Sequence, residues 1–193
     1  MQYTSHRFSF VSTALSLMVT YVTSAVPIPL YGVYQAQDAI TYFQLSLSSV
    51  VYFIGAVAAL VLFGRLSNYM GRKPVAVLSL LLAGLSTLFF LNLHSAAPLL
   101  LGRLSQGLAC GLASTALTSW LVDHSHSVRS WIAPAIISCG PMTGLTFGGV
   151  GSGILFEHAP YPRQIGFVIA LLLNLICLFL IFRSKETMCY CFY

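Results

Sequence analysis

The sequence predicts an all-α polytopic membrane protein with six transmembrane helices, and three observations carry that prediction. The chain is 58% hydrophobic with only 7% charged residues and a mean hydropathy of +0.86, whereas a soluble domain carries about 25% charged residues. Its apolar residues gather into six runs, each near the length of about 20 residues that crosses the hydrocarbon core as a helix. The cations sit singly or in small groups between those runs. That is a topology signal, and it excludes the one-faced basic cluster of a nucleic-acid binder despite a net charge of +5.

The first span covers roughly residues 8–31. Its Ser and Thr residues are placed to return hydrogen bonds to their own helix, which makes them tolerable in lipid. Pro27 and Pro29 bend or end it near the far side. The apolar stretch after Arg7 is too long for a cleaved signal peptide and lacks a small-residue cleavage site. After a polar loop at 35–38, the second span, 42–63, ends at Gly64, the residue type a helix C-terminus favours. The hairpin 64–73 follows, with Gly64, Arg65, Gly71, Arg72 and Lys73. Pro74 then falls in the first turn of the third span, 75–93, where its missing N–H is harmless.

The fourth span, 98–122, holds Arg103 and Gln106 well inside its apolar length. A polar segment from Asp123 to Arg129 closes it. The fifth, 131–156, is rich in glycine and interrupted by Pro141. A short loop with Glu157, His158 and Arg163 leads to the sixth, 165–182. Six spans put both termini on one side. Arg7, Arg65, Arg72, Lys73, Arg129, Arg183 and Lys185 lie on that side, Arg163 lies opposite, and Arg103 lies within a span, which accounts for all 9 cations. Cytoplasmic loops carry the excess of Lys and Arg, so both termini are expected in the cytoplasm, with the protein multi-pass in a cell (inner or plasma) membrane.

A buried Arg at mid-membrane costs at least ~2.5 kcal/mol on insertion scales, so Arg103 needs a partner, water or a functional role. Positions 103, 107, 110 and 114 follow one helical face, which places Arg103 on a stripe with Gly107, Cys110 and Ser114, looking into the bundle. Snorkelling to the headgroups is the alternative. Gly140, Gly144 and Gly148 recur every four residues on one face, the spacing that lets helices approach closely. Pro141 bends the helix beside them. Cys110, Cys139 and Cys177 lie inside apolar runs, where a thiol behaves as a small hydrophobe. Cys189 and Cys191 form one C-x-C without further ligands. Asp123, His124 and His126 read as a solvated loop, since no nucleophile motif or zinc motif accompanies them. No acidic ring or filter-like sequence suggests a channel. No enzyme, metal or cofactor is expected.

The hairpin resembles the signature loop of the major facilitator superfamily of secondary transporters, Gly-x-Leu-Ala-Asp-Arg-x-Gly-Arg-Lys/Arg. Gly64, Leu66, Gly71, Arg72 and Lys73 match, Ser67 is a small-residue stand-in, Asn68 occupies the acidic position and Tyr69 replaces the following Arg. The resemblance implies a conformational gate at Gly64, Asn68, Gly71, Arg72 and Lys73, with Asn68 lacking the charge the family uses to latch its two halves. Arg103-x-x-Gln106-Gly107 resembles the family's fourth-helix motif, which implies a coupling or substrate role for Arg103, Gln106 and Gly107. The run Gly140-Pro141-Met142-Thr143-Gly144 is similar in part to a fifth-helix pattern found in antiporters. The segment from Pro27 through Tyr31 to Gln35 resembles the first-helix end of drug- and sugar-type members, and would bring Tyr31 and Gln35 to a central cavity; interfacial anchoring accounts for Tyr31 equally.

Members of that family have twelve spans in two halves, with substrate held between them near the midplane. The resemblance therefore implies that residues 1–187 form one half, built as 3+3 inverted repeats. It implies alternating-access transport of a small-molecule solute, driven by a proton or ion gradient and possible as efflux. A lipid bilayer surrounds the protein, and a second copy or a C-terminal half completes it. Residues 188–193, aromatic and uncharged, are unlike a linker and suggest an unstructured, frame-shifted tail on a truncated chain. A non-transporting fragment or membrane interaction subunit is the rival reading.

Overall fold

The computed structural model describes residues 2–38, 40–64, 70–125, 128–158 and 161–184. Among these residues there are seven helices and no strand: α1 (Gln2–Ala25), α2 (Tyr31–Asp38), α3 (Tyr42–Phe63), α4 (Arg72–Leu91), α5 (Ala96–Asp123), α6 (Ile132–His158) and α7 (Pro162–Arg183). The tail at 188–193, with its C-x-C, lies outside the described residues. So do His126 and residues 65–69 of the hairpin, Asn68 included.

The second run is helical over the same residues the sequence marks. A capping box starts it: Gln44 N–H donates to Thr41 Oγ1 at 3.3 Å and Thr41 N–H donates to Gln44 Oε1 at 3.0 Å, which satisfies two donors that a helix start leaves bare. The first run is different. It does not remain one helix across 8–31, because α1 stops at Ala25 and a separate helix, α2, begins at Tyr31. Pro27 and Pro29 have no N–H and push the residue before each away from helical geometry. The chain between them makes tighter turns, with Ile28 N–H donating to Ala25 O at 3.1 Å and Leu30 N–H to Pro27 O at 3.3 Å.

Gly64 caps α3 in right-handed geometry, φ −56°, so no glycine freedom is used there. That freedom is used at Gly71, whose φ of 92° turns the chain into α4.

Many Ser and Thr side chains face inward beside an apolar core, and many large apolar side chains face outward, unlike the surface of a soluble protein. Thr13, Ser16, Thr20 and Thr23 are buried, and each donates to the carbonyl four residues earlier at 2.7–2.8 Å. Phe53, Ile54, Val57 and Val61 of α3, and Leu172, Ile176 and Phe179 of α7, are exposed. Among the described residues, four helical segments are long and apolar enough to cross a bilayer: Arg7–Ala25, Tyr42–Phe63, Arg72–Leu91 and Arg163–Arg183. The sequence has six apolar runs. The other two helices, α5 with 28 residues and α6 with 27, have the length, about 40 Å at 1.5 Å per residue. Their apolarity is diluted by groups that serve the interior: Arg103, Gln106 and several Ser and Thr residues in α5, and a ladder of glycines in α6.

α5 packs against α3 and α4 and also meets α1, while α1 packs against α6, α5 and α7. Two contacts are backbone-close. A Cβ on Gly107 would lie 2.1 Å from Tyr52 O, and one on Gly111 2.7 Å from Ala56 O, both on α3. A Cβ on Gly144 would lie 2.6 Å from Met18 O and one on Gly148 2.3 Å from Val22 O, both on α1. Only glycine permits these approaches. Gly140 is looser against α1, its nearest α1 atom 3.8 Å from such a Cβ. α6 runs helical through Pro141.

Candidate functional site

The break after Ala25 creates the polar centre. In an unbroken helix the N–H of residue 27 would take Thr23 O and that of residue 28 would take Ser24 O. Pro27 has no N–H, and Ile28 N–H goes to Ala25 O instead. Two carbonyls at a helix C-terminus are thereby left for other donors, and that end of a helix favours cations.

α5 supplies the donors. Arg103 Nη1 donates to Ser24 O at 3.0 Å and to Gln106 Oε1 at 3.0 Å, and Gln106 Nε2 donates to Thr23 O at 3.0 Å. Arg103 Nη2 donates to Tyr31 Oη. Its guanidinium carbon sits 5.2 Å from the Tyr31 ring centre and 5.8 Å from that of Phe90, within the range of cation–π attraction. Arg103 is 5% exposed and Gln106 1%. The Nε of Arg103 is buried with no hydrogen-bond partner. The guanidinium borders a cavity of about 360 Å³, whose other walls are Ser24, Ile28, Tyr31, Ser49, Tyr52, Phe53 and Leu145. Arg103 therefore turns into the bundle and does not snorkel.

Arg103, Gln106 and Tyr31 come together here. Gln35, on α2, is not among the cavity-lining residues. Nor does Gly107 share the Arg103 stripe. Arg103, Gln106, Cys110 and Ser114 all reach toward α1 or its extension, whereas Gly107 and Gly111 face α3. Gly140, Gly144 and Gly148 face α1 and stand apart from the cavity, as does Pro141.

A second cluster holds the end of the bundle where the chain enters α4. Arg72 forms an ion pair with Asp123 and donates to Ser119 O. Lys73 Nζ donates to Phe182 O at 2.7 Å and Ser184 O at 2.9 Å. Two adjacent cations thus bind the C-terminal carbonyls of α5 and α7, where the helix dipole favours them. Gly71 orients both by turning the chain just before them.

A third cluster mirrors it at the opposite end. Arg163, in the first turn of α7, pairs with Asp38 at 2.7 Å and donates to Leu93 O, just past α4. It lies 5.6 Å from the ring centre of Tyr34. Burial pushes the Tyr34 phenol above its ordinary pKa despite the opposing pull of Arg163, so Arg163 faces a neutral ring. Sequence reasoning missed this cluster and the acceptor carbonyls of α1. The available signals were Pro27, four residues after Thr23, and a cation in the first turn of both α4 and α7.

Helices with apolar outer faces, closed by glycine contacts around a buried cation, have the build of an integral membrane protein. The chain belongs to the major facilitator superfamily, whose sequence pattern matches residues 12–188. It is 28% identical over 189 residues to the tetracycline resistance protein, class B, of Escherichia coli, covering 95% of this chain and 45% of that one. It is 33% identical over 140 residues to the uncharacterized MFS-type transporter YybF of Bacillus subtilis (strain 168), covering 72% and 34%. Over 68 residues it is 34% identical to the multidrug resistance protein MdtL of Klebsiella pneumoniae, covering 35% and 17%. The chain thus spans less than half the length of these curated relatives.

Proposed function

We propose that this chain forms one six-helix half of a secondary transporter that moves a small solute across the cytoplasmic membrane by alternating access. The observation that carries the reading is Arg103, a buried cation held by neutral groups at the edge of a cavity between helices. An intramembrane ionisable residue facing a cavity marks a solute or ion pathway. The excess of Lys and Arg on one side supports cytoplasmic termini.

The packing supports a 3+3 inverted repeat. Exchanging α1, α3 and α4 with α5, α6 and α7 turns the α3–α5 contact into α6–α1, and the α4–α5 contact into α7–α1. It also turns the Arg72–Asp123 pair into Arg163–Asp38. A second copy or a C-terminal half would close the cavity. A proton or ion gradient supplies the energy, and the names of the tetracycline and multidrug resistance relatives favour export.

The test is flux in reconstituted vesicles under an imposed pH gradient, with tetracycline as the first probe, for the chain alone and with a C-terminal half from a relative. Flux that falls at least tenfold with Arg103→Ala supports the transporter. No flux with any solute in either arrangement, together with a monomer in detergent, supports the rival, a non-transporting fragment or interaction subunit.

A further inference from the structure

Arg103 carries a charge that its surroundings among the described residues do not neutralise. Its hydrogen-bond partners, Ser24 O, Gln106 and Tyr31, are all neutral. The chain has 4 carboxylates, Asp38, Asp123, Glu157 and Glu186. Asp38 is paired with Arg163 and Asp123 with Arg72, Glu157 is exposed at the far end of α6, and Glu186 lies outside the described residues. No carboxylate falls within the apolar runs that surround Arg103.

The cavity beside the guanidinium is about 360 Å³, a size typical of small-molecule sites. Its walls sort into two parts. The polar lining is the Arg103 guanidinium with Ser24 and Ser49. The rest of the lining is aromatic and apolar: Tyr31, Tyr52, Phe53, Ile28 and Leu145. A fixed positive charge in a low-dielectric wall attracts an anion and repels a cation. The flat apolar side accepts a ring.

We propose, on the basis of the transporter reading, that this site takes an amphipathic organic monoanion, an aromatic carboxylate, whose charge neutralises Arg103 and whose ring lies against Tyr31, Tyr52 and Phe53. The ligand, not the chain, supplies the missing negative charge.

The test is equilibrium binding to the full chain in phosphatidylcholine nanodiscs, which present no net anionic headgroup. Three radiolabelled probes share one ring: 2-naphthoate, 2-naphthamide and 2-naphthylmethylammonium. The expected order is anion, neutral, cation, with naphthoate at least about tenfold tighter than the amide. Arg103→Gln brings naphthoate down to the affinity of the amide, and Arg103→Lys keeps part of the preference. Ser49→Asp, on the cavity wall and away from the Arg103 hydrogen bonds, removes the preference while amide binding persists. It keeps the test open if Arg103→Gln does not fold. Equal binding of naphthoate and naphthamide to the unaltered chain, or tighter binding of the ammonium, overturns the proposal. Vesicle flux separates the two readings. Anion preference without flux of any solute removes the transporter and leaves the site; flux of a cation or neutral solute with no anion preference removes this ligand class and leaves the transporter.

Discussion

α1 and α5 each pack on three helices from the other half of the chain, yet they are built differently. α5 runs unbroken from Ala96 to Asp123, whereas α1 stops at Ala25 and the chain resumes as α2. α5 brings donors to the middle of the bundle, and α1 leaves acceptors there. The polar centre lies in the difference between them: a helix with a buried Arg needs a neighbour with bare carbonyls, and two prolines provide one. Where the two stretches agree, they hold the bundle together. Where they diverge, they make a site.

The agreement is tested first, because it carries the largest expected effects. Gly107→Ala would drive a methyl into the backbone of α3 and Gly148→Ala into that of α1, with similar clearances of 2.1 and 2.3 Å. Each is expected to destabilise by about 3 kcal/mol, the upper part of the range for overpacking. Gly149→Ala, with nothing within 4 Å, should change little. Thermal unfolding in detergent measures all three. A stable Gly148→Ala beside an unstable Gly107→Ala would show that the two contacts are not equivalent.

The ion pairs come next. In the Arg163–Asp38 pair the side chains are 24% and 8% exposed, and in the Arg72–Asp123 pair 17% and 28%. Removing one partner of a buried pair strands the other charge, whereas an exposed pair contributes little. Asp38→Asn should therefore cost about 2 kcal/mol in unfolding and Asp123→Asn about 1 kcal/mol, with the order set by carboxylate burial. Raising salt from 0.1 to 1 M shortens the screening length from about 10 to 3 Å. The difference between the unaltered chain and Asp123→Asn should shrink with that change, and the Asp38→Asn difference should persist. The reverse order would mean that burial does not rank these pairs.

The sequence made some of this legible and hid the rest for physical reasons. Apolar run length located a helix at every run, and over 42–63 both ends agree, because hydropathy and helix caps are local properties. The end of α1 was hidden, since the apolar run continues past Ala25 and hydropathy does not register a missing N–H. The Arg163–Asp38 pair joins residues far apart in sequence, and nothing local announces it. Gly107 lies on a different face from Arg103 because a four-residue step advances about 40° around a helix of 3.6 residues per turn. Arg103 and Gly107 are near neighbours on α5, but that rotation carries one toward α1 and the other toward α3. The candidate gate at Asn68 lies outside the described residues, and its role stays with the family resemblance.

The smallest effect on stability, and the sharpest on the contrast between α1 and α5, belongs to Pro27→Ala. The new N–H at residue 27 lies where it would take Thr23 O, the acceptor that Gln106 now uses at 3.0 Å. The new backbone hydrogen bond and the helix propensity gained over proline offset the cost of leaving the buried Gln106 amide unpaired, so the net change in unfolding free energy should stay within about 1 kcal/mol. Helical content by circular dichroism should rise by a few residues as α1 extends. Gln106 then loses its anchor, Arg103 loses the oriented Oε1, and both naphthoate binding and solute flux should fall about tenfold. Pro29→Ala is the control, because residue 29 in an extended helix would take Ala25 O and leave Thr23 O to Gln106. If Pro27→Ala raises helicity yet binds and transports as the unaltered chain does, the break in α1 shapes the backbone without setting the site.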